Sequence, residues 1–136
     1  MRDEDLEMRP GAFEAVRALH DAGLPVALAT STEREYAMPL MERFGLAQFF
    51  SMTVCGDEVE RSKPEPDIYL EAARRLGTRP EACAAVEDSV NGARAALAAG
   101  MVTFMVPEWA EPTPDVRSAC AGILQSLHEL PALLIG

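Results

Sequence analysis

The sequence predicts an α/β fold, a parallel sheet with helices packed on its faces. Two observations carry this expectation. Short apolar runs alternate with amphipathic stretches of helical period, and glycines (Gly23, Gly45, Gly77 and Gly100) close those stretches as C-caps. The clearest run, Leu24 to Ala29 with Val26 at its centre, is apolar throughout, as expected of a strand buried on both faces. Strands that alternate with helices imply right-handed βαβ units and a parallel sheet.

The elements follow in order. Residues 1–8 are mostly charged and are expected to be frayed or partly disordered, so the domain occupies residues 9–136. Pro10 and Gly11 precede a helix with Phe13, Val16, Leu19 and His20 on one face. After the Leu24 to Ala29 strand, the hydroxyls of Thr30, Ser31 and Thr32 suit an N-cap. The helix they open is expected from Glu33 to Phe44, burying Met38, Met41 and Phe44, with Pro39 marking a kink or a late start. Phe49 to Cys55 is the next strand, and a polar loop follows with Lys63 held in extended chain before Pro64. Asp67 to Leu76 is a strongly amphipathic helix with Ile68, Ala72 and Leu76 inward. Ala84 to Val86 forms a strand, Gly92 to Ala99 an alanine-rich helix able to pack closely, and Met101 to Val106 a further strand. Pro107 to Pro114 reads as a surface loop carrying Trp109 over the sheet edge or mouth. Gly122 to Leu127 is a short edge strand, and the tail packs through Leu130, Leu133 and Leu134.

Composition narrows the function classes. A chain of 136 residues suits one domain with a real core. Its net charge of -10 excludes nucleic acid and anionic membrane as partners, because both would be repelled. Apolar runs are too short to span a bilayer, and the acidic start does not resemble a signal peptide. Cys55, Cys83 and Cys120 form an odd, widely spaced set without metal-binding spacing, which suits buried thiols in a reducing cytoplasmic setting. His20 and His128 have no partner evident from spacing and read as structural or exposed.

The chemistry concentrates at two places. Val86-Glu87-Asp88-Ser89-Val90-Asn91-Gly92 sets two carboxylates where an apolar strand ends and a helix begins, the end of a parallel sheet where ligands bind. Adjacent carboxylates repel unless a cation or solvent takes them up. Mg²⁺ needs only one or two carboxylates when waters and a phosphate complete its oxygen shell. Helix N-termini also favour acidic side chains, so a purely structural reading stays open. Lys63 lies upstream as a point charge suited to a phosphate, or simply as a solvated loop lysine. Thr30 and the amides after it could hold a phosphate oxygen, or only cap a helix.

The order of these pieces is the specific signal. A threonine at a strand end, then Lys63-Pro64-Glu65-Pro66-Asp67-Ile68-Tyr69, then Val86-Glu87-Asp88-Ser89-Val90-Asn91-Gly92, resembles the haloacid dehalogenase superfamily. Within it, the chain is most similar to the β-phosphoglucomutase and phosphoglycolate phosphatase-like branch. The resemblance runs from Arg9 onward and implies a Rossmann-like, three-layer αβα core that hydrolyses or transfers phosphoryl groups of a small phosphorylated metabolite with Mg²⁺. It implies Thr30 as the phosphate-binding hydroxyl, with Ser31 and Thr32 adding contacts and Asn91 supporting the loop. Lys63 would steady nucleophile and phosphoryl group, Asp88 would ligate the metal, and Glu87 would bind it directly or through water.

One part of the pattern is missing. The superfamily's nucleophile sits in Asp-x-Asp-x-Thr/Val at the end of a central first strand. Here Asp3-Glu4-Asp5 is followed by Leu6-Glu7 and preceded by no apolar run, which marks a chance match. The helical cap that selects substrates is also absent. A sheet without that strand is expected either to leave two strand edges open or to force those strands together. The expected function is therefore the core portion of a phosphatase or phosphomutase, inactive as this chain alone and with weak or absent Mg²⁺ binding. The alternatives are a non-catalytic phosphate- or partner-binding module and a protein that self-associates through open strands.

Overall fold

The computed structural model describes residues 11–107 and 111–135. Helices and strands alternate as α1 (Ala12–Asp21), β1 (Ala27–Ala29), α2 (Arg34–Arg43), β2 (Met52–Val54), α3 (Asp67–Leu76), β3 (Ala84–Glu87), α4 (Val90–Ala98), β4 (Val102–Met105), α5 (Pro114–Ala119), β5 (Gly122–Ile123) and α6 (Leu130–Ile135). Short 3₁₀ turns precede β2, α3, β3 and α6. All pairings are parallel, as predicted. The fold is a Rossmann-like arrangement of helices around parallel strands.

The strands form two ladders, not one. β1 pairs with β2 in the register Ala27 to Met52, and β3, β4 and β5 form a second ladder with Val86 opposite Phe104. Among the described residues β1 and β3 do not pair, so their facing edges are open. Hydrogen bonds set the phase of each edge. Thr30 N donates to Val54 O, and Val102 N and Val106 N donate to Cys83 O and Glu87 O. Alternate residues in a parallel ladder bond the same neighbour. Ala27 and Ala29 on β1, and Ala84 and Val86 on β3, therefore turn their peptide groups away from their partners. This explains why β1, expected to be buried, is half-exposed along its length.

The opposite edge of β2 is blocked. Thr53 O accepts from Arg34 Nη2 at 2.7 Å and from Arg75 Nη1 at 3.0 Å, so charged side chains occupy the place of a further strand. Glu58 takes both Nε and Nη2 of Arg34 at 2.8 Å. The Arg34 hydrogen bond holds its carboxyl at about 2, below its ordinary 4.5.

The core lies on both faces. On one, α3 and α4 bring Ile68, Ala72, Ala95 and Ala96 against Val54 and Ala85. The alanines of α4 permit the close approach expected of them. On the other, Ala15 of α1 and Leu130 of α6 cover Phe104, Val106 and Leu124. Several burial expectations are corrected. α2 buries Ala37 and Leu40, while Met38, Met41 and Phe44 are only partly covered. Leu133 is 51% exposed. The edge strand stops at Ile123, because Ser126 opens a 3₁₀ turn with Glu129 in a capping box. Pro39 lies inside α2. α5 was not anticipated, although Thr113-Pro114-Asp115 carries a helix-start signal with proline at the first position.

Cys55 is buried and Cys83 and Cys120 are partly buried, all free thiols whose pKa burial raises. His20 is exposed beside Asp21, with its ring 5.4 Å from that of Phe49. Among the described residues no helix is long and apolar enough to cross a membrane. The expected frayed start, Asp3 and Asp5, and Trp109 lie outside the described residues.

Candidate functional site at the strand ends

Glu87 ends β3, and its side chain turns inward, leaving the residue 8% exposed. A carboxylate so buried requires partners, and two are present. Lys63 Nζ lies 2.6 Å from Glu87 Oε2, and the hydroxyl of Tyr69, from the first turn of α3, donates to the same oxygen. Lys63 is itself only 14% exposed and its ammonium lies 5.3 Å from the centre of the Tyr69 ring. The solvated-lysine alternative is thus excluded. The Lys63–Pro64 peptide is cis, where the sequence suggested ordinary extended chain.

Lys63 also joins the two ladders. Its Nζ lies 3.4 Å from Ala29 O, the carbonyl on the open side of β1. One ammonium therefore spans from the end of β1 to the end of β3, where a strand pairing would otherwise stand. Burial, then the charges of Glu87 and Asp88, pushes the Tyr69 phenol above its ordinary range, so it stays a donor at any working pH. Asp88 follows Glu87 directly, in the turn between β3 and the Ser89 cap of α4.

Thr30 follows directly after Ala29. Its Oγ1 accepts from Thr32 N at 3.2 Å, a local turn that folds the loop back on itself. The expectation that Thr30, Ser31 and Thr32 cap α2 is corrected. The cap position is Glu33, which makes no side-chain cap, and the first helical amide, Arg34 N, donates instead to Asp57 Oδ1 from the loop after β2. Ser31 is exposed. Ser89, by contrast, does cap α4, accepting from Gly92 N at 3.0 Å.

Tyr69, Gly56 and Gly92 are the residues that sequence reasoning missed. Tyr69 lies within the quoted motif, but spacing does not show that its hydroxyl reaches Glu87. Gly92 was read only as part of a helix start. A Cβ there would lie 1.9 Å from Glu87 Oε1, so the carboxylate rests on the glycine. Gly92→Ala is therefore expected to lower stability by about 1–3 kcal/mol, as overpacking does. In a Glu87→Ala background the same change should be neutral or gain up to about 1 kcal/mol from helix propensity. Urea denaturation of the two pairs decides this, and equal effects in both backgrounds would show that Gly92 and Glu87 are not coupled.

Glu87 and Asp88 are hard oxygen donors of the kind Mg²⁺ takes. Among the described residues no group of three metal-ligating side chains forms, so the donor type fits the ion and the donor number falls short. Waters, a phosphate and a further protein oxygen would have to complete the shell.

Comparison with known proteins identifies the family. The family model for haloacid dehalogenase-like hydrolases matches residues 2–100. The chain belongs to the haloacid dehalogenase-like hydrolases. It is 37% identical over 131 residues to hexitol phosphatase B of Escherichia coli strain K12, covering 96% of this chain and 59% of that one. It is 34% identical to the phosphoglycolate phosphatase of Nitrosospira multiformis, covering 96% and 58%. The crystal structure of CbbY from Rhodobacter sphaeroides in complex with phosphate is similar at a TM-score of 0.79 and 34% identity, over 90% of this chain and 55% of that one. A haloacid dehalogenase phosphatase from Thermococcus onnurineus aligns at a TM-score of 0.84 and 25% identity, over 96% and 60%. The chain thus spans little more than half the length of these relatives.

Proposed function

We propose that this chain is the core portion of a Mg²⁺-dependent phosphatase or phosphomutase acting on a small phosphorylated metabolite. The observation that carries the reading is the Lys63–Glu87 contact of 2.6 Å at the strand ends, with Thr30 one residue beyond the carbonyl that Lys63 also touches. In this reading the Thr30 and Ser31 hydroxyls hold phosphoryl oxygens, and Lys63 neutralises their charge. Asp88 is the metal ligand, with Glu87 contributing directly or through water. When bound, Mg²⁺ would offset the charge of the phosphoryl oxygens and help orient them. Glu87 fixes the Lys63 ammonium, and Tyr69 fixes Glu87.

The nucleophile is the part the described residues do not supply. No strand joins β1 to β3 among them, so no carboxylate stands at the end of such a strand to attack the phosphorus atom in line. We therefore expect the chain alone to be inactive and its Mg²⁺ affinity to be low. Titration of Mg²⁺ into the wild type and Asp88→Asn tests the metal role: binding should vanish in the variant, and equal affinity would place the ion elsewhere. Hydrolysis of a panel of phosphate monoesters by a chain extended upstream tests the activity.

The peptide groups of Ala27, Ala84 and Val86 on the open strand edges favour a second reading, self-association through those edges. Sedimentation over a wide concentration range separates the two, since a monomer throughout removes this one.

A further inference from the structure

We propose that the turn Cys55–Glu58 is a positioning clamp for the Thr30–Thr32 loop, with Gly56 and the Arg34–Glu58 pair as its positioning residues. The proposal rests on the reading of Thr30 and Ser31 as phosphate-holding groups. Four contacts converge on Ser31, Thr32 and Arg34, within four consecutive residues of the loop and its helix. Gly56 N donates to Thr32 O at 3.0 Å. Asp57 Oδ1 takes Arg34 N at 3.1 Å, the amide that opens α2. Glu58 grips the Arg34 guanidinium through two bonds of 2.8 Å, and its Oε1 also accepts Cys55 N at 2.8 Å, which ties the grip to the end of β2. The fourth contact is steric: a Cβ on Gly56 would lie 2.1 Å from Ser31 O and 2.7 Å from its carbonyl carbon. That neighbour is backbone and cannot rotate aside, so the close approach requires glycine.

The chemistry suits a rigid template. A bidentate guanidinium–carboxylate pair fixes orientation as well as distance. Arg34 is also held at Thr53 O, so its side chain is anchored at three acceptor atoms. The loop has no cap of its own from Thr30, Ser31 or Thr32, since α2 makes no side-chain cap bond at Glu33. Its shape, and the direction of the first amides of α2, are therefore imposed from the neighbouring turn. The clamp grips from the outer edge of β2, whereas Lys63 touches the open edge of β1, so loop shape and lysine placement have separate supports. An anion site needs its donors held in place before binding, and a misplacement of about 1 Å can lower binding or rate by as much as about 10²-fold.

The test is calorimetric titration of inorganic phosphate, with Mg²⁺ present, into the wild type, Glu58→Gln, Gly56→Ala and Asp115→Asn, each with its melting temperature. Asp115 pairs with Arg94 at 2.7 Å on another part of the surface and serves as the control for loss of an ion pair. The expected result is a Kd raised roughly tenfold or more in Glu58→Gln and Gly56→Ala, with Asp115→Asn binding as the wild type does. If Gly56→Ala does not fold, Glu58→Gln, which keeps the side-chain shape, decides alone. Wild-type affinity in Glu58→Gln despite a lowered melting temperature would make the clamp merely structural and overturn it. Equal weakening in Asp115→Asn would overturn it as well, because general stability would then be the cause. A wild type that binds no phosphate would instead overturn the reading of the Thr30 loop, and the clamp's role with it.

Discussion

A chain extended ahead of Met1 by an apolar strand ending in Asp-x-Asp is expected to hydrolyse a generic phosphate monoester with Mg²⁺ at least about 10⁶-fold faster than the 136-residue chain alone. The magnitude follows from what a nucleophile contributes when it acts as part of a unit. Lys63 and Thr30 can lower the energy of a phosphoryl group, but neither forms the bond to phosphorus. The structure adds a second reason. β1 and β3 each present an open edge, and Lys63 already reaches across from Ala29 O to Glu87. A strand lying between them would satisfy the peptide groups of Ala27, Ala29, Ala84 and Val86 and would end beside Lys63. The extended chain should therefore also melt at a higher temperature. Turnover by the shorter chain at a similar rate would sink the proposal that it lacks its nucleophile. An inactive extended chain, tried on a broad panel, would count against phosphoryl chemistry altogether.

Lys63→Ala is expected to destabilise the fold by about 3 kcal/mol, at the low end for breaking a buried ion pair. Glu87 is buried and Lys63 partly buried, with side chains 7% and 14% exposed. Removing the lysine leaves the Glu87 carboxylate over Gly92 with Tyr69 as its remaining donor among the described residues. That remaining hydrogen bond is why the loss should not reach the upper end of the range. For a domain of this size the melting temperature should fall by about 10 °C. Lys63→Met combined with Glu87→Gln should recover most of the loss, because a neutral pair needs no counter-charge. A single variant that melts with the wild type would show that the pair does not hold the ladders. The consequence for function is direct: loss of phosphate binding in Lys63→Ala has to be separated from loss of fold, and the double variant makes that separation.

Much of this could be read from the chain because strand and helix signals are local. The α3 helix occupies Asp67–Leu76, as its periodicity implied, and Gly77 closes it in the left-handed region at φ 69°. Asp88 follows an apolar strand, and Ser89 caps the next helix, again from neighbouring residues alone. The order of Thr30, Lys63 and Glu87-Asp88 was likewise visible, and it pointed to the family that comparison then identified.

What the chain could not reveal depends on approach across space. Thr30, Ser31 and Thr32 looked like caps for α2, yet the amide of Arg34 is taken by Asp57, 23 residues later. Tyr69 and Gly92 looked like ordinary helix residues, and only the fold lays Glu87 between them. The sequence implies a buried β1, but burial belongs to a pair of neighbours, and among the described residues β1 pairs with β2 alone. The sequence by itself determined the alternation of strands and helices, the family and the residues at the strand ends. The tertiary structure alone decided that the sheet divides in two and that Lys63 spans the division. The physical reason is that hydrophobic period and capping act within a few residues, whereas a ladder or a buried ion pair exists only once distant segments meet.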